Sequence, residues 1–265
     1  LEIDDLLWRA DRAHVRRLAA RPARTGPLQA VLQAGLSPTA VDVQVLELGA
    51  PGPEPADGDA QDAPSTLQLS ARGRVQLDDT PSELRLDWQQ LRWPLQGAPQ
   101  VTSEQGWIEL GGTPDAVEAK AGFYVDGRGK VTLDASYTPL ALAADLRWKR
   151  LQWPLQGAPQ VASPDGRLTV SGKPEAYRYT LKAHLAAEGR SGSAEASGAG
   201  GLEHVVLETL NLAVARARVR GNGRVDWNVG AQSAVAVHAD LDIRDLNPAL
   251  IAADWPGNLN GHLKA

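Results

Sequence analysis

Few side chains in this sequence have both the type and the spacing that chemistry requires. Its five histidines are scattered along the chain: His14, His184, His204, His238 and His262. No two of them share the H-x-x-x-H or H-E-x-x-H spacing that brings two imidazoles to one metal ion. We therefore expect surface positions for these histidines and no catalytic or metal-binding role.

An acidic segment and a serine segment come closest to functional motifs, and both fall short. Asp57, Asp59 and Asp62 are spaced somewhat like calcium-loop ligands, but residue 61 is Gln and the loop's glycine and final glutamate are missing. The Ser-Gly-Ser stretch at 191–193 is typical of a linker, and no G-x-S-x-G elbow or phosphate-binding loop occurs. The absence of Cys excludes disulfides and thiolate chemistry. The sequence predicts a protein that is not an enzyme and needs no metal or cofactor.

Two tryptophan pairs, Trp88 with Trp93 and Trp148 with Trp153, are more informative. Paired indole rings could stack on sugars, which would make the repeats carbohydrate-binding modules. The alternative is architectural, because each second tryptophan precedes a proline and could fold a loop against the end of a sheet. We favour the architectural role, and the sugar-stacking hypothesis stays open at this point.

The tryptophans belong to an internal repeat. Residues 91–101 read LRWPLQGAPQV and residues 151–161 read LQWPLQGAPQV, so ten of eleven positions are identical at an offset of 60 residues. A shorter motif, Leu-x-Trp/Ile-x-x-Leu, begins at Leu86 and Leu146 and recurs in looser form at Leu241 and Leu1. A fixed period of this size indicates an array of similar units, each of which buries apolar surface only against its neighbours.

Alternation of apolar and polar residues predicts that these units consist of β-strands. One stretch has an apolar or small residue at every second position: Leu67, Leu69, Ala71, Gly73, Val75 and Leu77. Turn residues such as those at 78–81 and Asp126-Gly127 separate the strands, which favours antiparallel pairing of neighbours. We expect an all-β, elongated antiparallel repeat array that forms an open groove, a β-taco, with short helices at Leu6–Ala20 and Asn247–Ala253.

Composition changes divide the chain into six segments. We expect a partial repeat with a helix at 1–49, a flexible acidic Pro/Gly loop at 50–66, β-groove repeats at 67–126 and 127–187, a flexible Gly/Ser/Ala insertion at 188–201 and a looser repeat at 202–265. The chain contains no Met and starts inside a copy of the motif, so we expect a piece of a longer protein. No apolar run of about 18 residues is present, which predicts no membrane-spanning helix in this piece.

Charge excludes one class of partner. The net charge is −5, from 27 basic and 32 acidic residues that are well mixed, so no basic stripe indicates binding to nucleic acid. Aromatic residues make up only 5% of the chain, and Ala, Val and Leu supply most of the apolar surface. The oligomeric state has no sequence correlate here.

The apolar strand faces carry the functional hypothesis. A closed β-structure would fill them with meshed side chains, whereas an open groove would leave them for an apolar ligand, and the many alanines leave room for one. Burying one acyl CH₂ contributes about 0.8 kcal/mol, so a 16-carbon chain gains on the order of 12 kcal/mol. The residues predicted to line this groove are Leu84, Leu86, Ile108, Leu110, Val117, Phe123, Val125, Val131, Leu133, Leu142, Leu146, Leu168, Val170, Tyr179, Leu181, Leu185, Val225, Trp227, Val235, Val237, Leu241 and Ile243.

The units that end in the Leu-x-Trp/Ile-x-x-Leu motif resemble the TamB family, the translocation and assembly module subunits, which are AsmA-like, repeating β-groove lipid transporters. The closest parts are the Trp-Pro-Leu-Gln-Gly stretches at 93–97 and 153–157 and the segment at 240–248. The resemblance implies a periplasmic location and an inner-membrane anchor elsewhere in the parent protein of a Gram-negative bacterium. It further implies phospholipid cargo, an outer-membrane barrel partner named TamA, and a role in outer-membrane protein assembly.

Two hypotheses of other classes remain beside a lipid conduit. The first is a structural or adhesin-like β-solenoid spacer with a closed, dry core. The second is the carbohydrate-binding repeat that uses the tryptophan pairs. Charged substitutions on the apolar face would unfold the spacer, and loss of Trp88 and Trp148 would abolish glycan binding.

Overall fold

A computed structural model describes residues 2–9, 12–20, 29–49, 67–93, 101–125, 129–153, 160–187, 189–227, 235–248 and 257–265. These residues form seventeen β-strands and contain no α-helix. The chain divides into two compact units, Leu1–Gly127 and Arg128–Ala265. The expected all-β architecture is therefore confirmed.

Eight strands build the N-terminal unit. They are β1 (Glu2–Arg9), β2 (Arg12–Ala20), β3 (Gln29–Leu36), β4 (Ala40–Gly49), β5 (Gln68–Gln76), β6 (Ser82–Trp93), β7 (Val101–Thr113) and β8 (Ala116–Val125). Each strand pairs antiparallel with the next along the chain. The result is an open meander, as expected for strands joined by short turns.

Nine strands build the C-terminal unit. They are β9 (Gly129–Thr138), β10 (Ala141–Trp153), β11 (Val161–Lys173), β12 (Ala176–Ala187), β13 (Arg190–Gly200), β14 (His204–Val214), β15 (Ala217–Trp227), β16 (Val235–Leu246) and β17 (Leu259–Lys264). They too pair antiparallel in sequence order, which makes a second open meander. The 60-residue sequence period relates β6, β7 and β8 to β10, β11 and β12, so one period corresponds to four strands.

The turn between β5 and β6 shows how local chemistry shapes the meander. The backbone N–H of Thr80 donates to Asp78 Oδ1 at 3.0 Å, and the Thr80 hydroxyl donates to the same oxygen at 2.5 Å. These hydrogen bonds lower the pKa of Asp78, since they favour its charged form. An aspartate that satisfies backbone groups two residues ahead stabilises a tight reversal, which explains the turn at this position.

The repeated Leu-x-Trp/Ile-x-x-Leu motif marks a backbone irregularity inside a strand. The residue before its final leucine has a positive φ in three copies: 54° at Gln90, 54° at Arg150 and 49° at Asp245. Left-handed conformation at a non-glycine residue costs free energy and interrupts the extended strand. The motif therefore encodes a bend after the tryptophan or isoleucine, at equivalent points of β6, β10 and β16.

We expect Gln90→Gly to raise the free energy of unfolding by about 0.5–1 kcal/mol, because glycine adopts positive φ without steric cost. The measurement is urea unfolding of the purified chain followed by circular dichroism. The neighbouring Gln89→Gly is a matched control of identical chemistry in a position without positive φ, and should lower stability by about 0.5–1 kcal/mol. Equal destabilisation by both substitutions would contradict the assigned bend.

Two expectations are corrected by the structure. The segment Leu6–Ala20 is not a helix but the hairpin β1–β2, in which Leu6 lies opposite Val15. Its apolar residues satisfied both periods, and a short apolar run does not distinguish a helix from a strand. Pairing with β3 on the far side of β2 then favours the strand.

The segment Glu188–Gly201 is not a flexible insertion, because it contains strand β13. Two of its glycines are required by close packing: a methyl group at Gly198 would lie 1.9 Å from the Val206 carbonyl oxygen, and one at Gly200 would lie 2.4 Å from Tyr177 Cζ. Tyr179 lies over Gly198 and donates its hydroxyl to the Val206 oxygen at 3.1 Å. Aromatic rings that cover glycines are a known means of stabilising such strands.

Several predicted features lie outside the described residues. These are the acidic loop at 50–66, the Asp126-Gly127 turn, the loops after Trp93 and Trp153, and most of the helix expected at Asn247–Ala253. The six-segment division of the chain otherwise stays a prediction.

Candidate functional site

The most extended feature of the C-terminal unit is a row of directly opposed residues that crosses all nine strands. From β9 to β17 this row, which we call the leucine row, reads Leu133, Leu146, Leu168, Leu181, Ala196, Leu210, Gly221, Leu241 and Leu263. Residues that oppose each other across neighbouring strands project on the same face of a sheet. One face of this unit therefore carries an unbroken line of apolar or small residues.

Flanking rows widen the line into a surface. On one side the row reads Val131, Trp148, Gly166, Ala183, Ala194, Leu212, Val219, Ile243 and Gly261. On the other side it reads Ala135, Ala144, Val170, Tyr179, Gly198, Leu207, Gly223 and Ala239. We call this surface of the C-terminal unit, made of these three rows, the apolar face.

The N-terminal unit has a corresponding surface on β5–β8. Its rows are Gly73, Leu84, Leu110 and Ala119, then Ala71, Leu86, Ile108 and Ala121, then Leu69, Trp88, Gly106 and Phe123. The intervening residues form the opposite, polar surface, where Arg85 pairs with Asp87 and Glu109 and lies 5.2 Å from the ring centre of Trp107. Both units thus separate apolar from polar side chains by strand alternation.

Burial shows that the apolar surfaces are only partly covered. Among the described residues, the buried hydrophobic residues are mostly alanines and include no leucine. Leu110 is 41% exposed and Val237 is 58% exposed. A meshed protein core would bury its leucines almost completely. Along the leucine row, Leu133, Leu146, Leu168, Leu181, Leu210 and Leu241 are half-buried and Leu263 is 48% exposed, so the row keeps part of its apolar surface accessible.

One end of the C-terminal unit is packed. Ala187, Val214 and Ala217 are buried together, and Val161 and Leu246 pack against them. These residues come from β12, β14, β15, β11 and β16, which span several strand spacings of about 4.8 Å each. Side chains on such distant strands meet only if the sheet curves toward its apolar face, so this end is concave.

Trp88 and Trp148 make equivalent contacts with the next strand. Trp88 is 7% exposed, and its indole N–H donates to Ser103 Oγ at 2.9 Å. Trp148 makes the equivalent hydrogen bond to Ser163 Oγ at 2.8 Å. Each ring lies over a glycine of the next strand, Gly106 or Gly166. A buried ring cannot stack on a sugar, so Trp88 does not serve as a carbohydrate platform.

The other two tryptophans lie at strand ends. Trp153 is 49% exposed at the end of β10. Trp93 ends β6, and its side chain lies outside the described residues. Their predicted structural role remains a prediction.

The structure places every predicted groove residue on the apolar surface of its own unit. Beyond the rows given above, Val117 opposes Gly112, Leu142 opposes Gly172, Val225 opposes Val205 and Val237, and Trp227 opposes Val235. Val125 and Leu185 follow by alternation from Phe123 and Leu181 on β8 and β12. Contact of these residues with lipid remains a prediction.

Sequence reasoning missed the contribution of β14. Its apolar residues change phase because the register shifts between Leu207 and Leu210, so Leu207 and Leu210 share a face although they are three positions apart. A β-bulge of this kind breaks period-two alternation, which separates Leu207 from the alternating run at Leu210, Leu212 and Val214 that the sequence shows. The looser spacing of the third repeat was the only sequence trace of it.

Polar groups on the reverse of the C-terminal unit form ion pairs. Asp145 accepts hydrogen bonds from Arg147 and Arg167, with closest N–O distances of 2.6 Å and 2.7 Å. The two guanidinium groups hold the pKa of Asp145 far below its ordinary value, since they favour the charged carboxylate. In the part of the chain that the structure describes, no three His, Asp or Glu side chains are grouped to hold a metal ion. That part also holds no helix of the length and apolarity needed to cross a membrane.

Comparison with known proteins identifies the family but not a solved homologue. A family profile described as "TamB, N-terminal domain" matches residues 116–265, which is more than half of the chain. The match covers β8 and all nine strands of the C-terminal unit, including its apolar face. No solved structure matches the chain. The expected resemblance is thereby confirmed, and the chain belongs to the TamB family.

Proposed function

We propose that the apolar face holds the acyl chains of phospholipids and that the chain is a non-enzymatic segment of a lipid conduit. The observation that carries the proposal is the leucine row across nine strands, whose leucines are half-buried from β9 to β16 and exposed at Leu263. Exposed apolar surface of this extent is costly in water and is typical of an interaction site. A hydrocarbon chain is a ligand that can cover this apolar surface without any polar partner.

The dimensions of the row suit a long apolar ligand. Eight strand spacings of about 4.8 Å give a length of ~38 Å, which exceeds the ~30 Å hydrocarbon core of a bilayer. Every position along the row offers a similar apolar contact, at about 0.8 kcal/mol per buried CH₂. An acyl chain can therefore move from one strand to the next, because it does not have to escape from one deep binding site.

Membership of the TamB family supports the wider setting of the proposal. In this setting the chain lies in the periplasm of a Gram-negative bacterium as part of a protein that is anchored in the inner membrane. Phospholipid moves along the groove between the inner and outer membranes, and the outer-membrane barrel TamA is the partner. Support of outer-membrane protein assembly follows from delivery of lipid to that membrane.

The test uses two neighbouring residues on opposite faces of β11. A photoreactive phenylalanine analogue replaces Leu168, which lies in the leucine row, or Thr169, which lies on the polar side. We expect irradiation in cells to attach phospholipid at 168 and not at 169, because only the first position contacts acyl chains. Mass spectrometry of the purified protein detects the adduct.

The competing spacer hypothesis gives a different result in the same experiment. The packed cluster around Val214 favours a closed interior at one end of the unit. A dry spacer would give no lipid adduct at either position. Equal labelling at both positions would indicate non-specific contact, and either outcome would refute the conduit.

A further inference from the structure

The polar side of β9–β12 carries a cationic depression that lipid binding on the apolar face does not use. Lys130, Arg147, Lys149, Arg167 and Lys182 border a cavity of about 520 Å³. Strand alternation places all five on the side opposite the leucine row. The volume lies within the range of small-molecule sites, roughly 300–1,000 Å³.

Several of the cations lie at directly opposed positions, and this arrangement is unfavourable for a sheet that has no anion bound. Lys130 lies opposite Lys149, and Arg147, Arg167 and Lys182 occupy successive opposed positions on β10, β11 and β12. Like charges at directly opposed positions destabilise a strand pair. The patch measures about 14 Å across its four strands, so the five charges act on the same small region.

Internal ion pairs neutralise only part of this charge. Asp145 bridges Arg147 and Arg167, which orients both guanidinium groups. Among the described residues none forms an ion pair with Lys130, Lys149 or Lys182.

Two acidic residues also line the cavity, but neither forms an ion pair with one of the three lysines. Asp165 lies opposite Lys149 in the register, but it is 2.8 Å from His184 Nδ1 and forms no ion pair with Lys149. Glu195 lies opposite Lys182 in the register and forms no ion pair with it. Three ammonium groups are therefore available to an anion.

The preceding repeat shows that the fold does not require these charges. The residues at the corresponding register positions of β5–β8 are Gln68, Asp87, Gln89, Trp107 and Gly122. None of them is cationic, although the apolar positions are retained, with Leu86 and Trp88 matching Leu146 and Trp148. The cationic set is thus specific to the second copy, which indicates a binding role.

We propose that this depression binds a phosphate ester, with the three lysines as its main ligands and the paired arginines as additional donors. Phosphate oxygens accept several charge-assisted hydrogen bonds at once, which matches a cluster of ammonium and guanidinium groups. The phosphate comes either from the headgroup of a lipid in a membrane surface or from a soluble ester. The site lies on the opposite face from the acyl-binding surface, so it goes beyond the proposed conduit and does not depend on it.

The test compares two triple variants of the purified chain that remove the same charge. Lys130→Gln, Lys149→Gln and Lys182→Gln neutralise the depression. Lys120→Gln, Lys173→Gln and Arg220→Gln neutralise three exposed cations that do not border it. Two probes distinguish a soluble phosphate ester from a lipid headgroup. The first is glycerol 3-phosphate, whose binding is measured by calorimetry. The second is phosphatidylcholine vesicles with or without phosphatidylglycerol, whose binding is measured by flotation.

We expect the chain to bind at least one of the two phosphate probes and the depression variant to lose about tenfold or more of that affinity. The control variant should change it by less than about twofold, since distant exposed charges are screened. Binding of glycerol 3-phosphate identifies a soluble ester, and binding only to phosphatidylglycerol vesicles identifies a lipid headgroup. Equal losses in both variants, or no binding of either probe, would overturn the proposal. Photolabelling at residue 168 should persist in the depression variant, which keeps this test separate from that of the conduit.

Discussion

Leu181→Arg is expected to remove bound phospholipid from the chain while the protein stays folded. Leu181 lies in the middle of the leucine row, between Leu168 and Ala196, and retains accessible surface. An arginine there would place a charge against hydrocarbon, which costs several kcal/mol when no partner neutralises it. We expect lipid occupancy, measured by native mass spectrometry of the purified chain, to fall by about tenfold or more.

The control for this variant is Thr180→Arg, one residue earlier on β12. Thr180 is exposed on the polar side, opposite Thr169 and Ser197, so the same charge there should leave lipid occupancy unchanged. Circular dichroism checks that both variants fold. If Leu181→Arg unfolds the chain while Thr180→Arg does not, the leucines form a closed core and the conduit is wrong. Unchanged lipid in a folded Leu181→Arg variant would also contradict it.

Trp88→Ala is expected to lower the free energy of unfolding by about 3–5 kcal/mol, the range for truncation of a buried aromatic side chain. The indole ring packs against Phe123, with 6.0 Å between ring centroids, and donates to Ser103. Its removal leaves a cavity in the N-terminal unit, and Ser103 keeps only its long hydrogen bond to the Gln105 carbonyl oxygen at 3.4 Å. Urea unfolding of the purified chain measures the loss.

Gly106→Ala probes the same contact from the other side. The added methyl group would lie 2.2 Å from Trp88 Cζ2, so the ring must move, at a cost of about 1–3 kcal/mol. Combined with Trp88→Ala, the glycine substitution should cost less, because the clash with the ring is gone and only the contact with Phe123 Cβ, at 2.5 Å, remains. Gly111→Ala on the same strand is the control, since its nearest atom would be 3.9 Å away. Additive losses in the double variant would show that the two residues do not pack together.

The main features of the fold were predictable because strand alternation is a local property. The apolar positions of β6–β8 and of β9–β12 could each be assigned to one face of their own unit from a period of two, and the antiparallel register agrees with that assignment. The 60-residue repeat likewise identified equivalent strands. The small residues of β13 were not interpretable in this way, since their role is to admit Tyr177 and Tyr179 from the neighbouring strand.

The hairpin β1–β2 was missed for a related reason. Its apolar residues fit a helical spacing as well as a strand, and only the pairing of β2 with both neighbours selects between the two. The cationic depression was also invisible in the sequence. Its five charges come from four strands, β9–β12, and are separated along the chain by acidic and apolar residues, so only strand pairing brings them together.

The repeat period, the strand class and the division into apolar and polar positions could be read from the sequence alone, because strand alternation depends on residues a few places apart and the repeat on a direct match between two segments. The sequence also placed the chain among the TamB proteins, through a motif that marks a backbone bend at Gln90, Arg150 and Asp245. The partial exposure of the leucine row and the close approach of the cations on β9–β12 become visible only in the tertiary structure. Both properties depend on how distant strands pair and curve. The burial of apolar surface and the repulsion between like charges each involve residues that come together only when the chain folds.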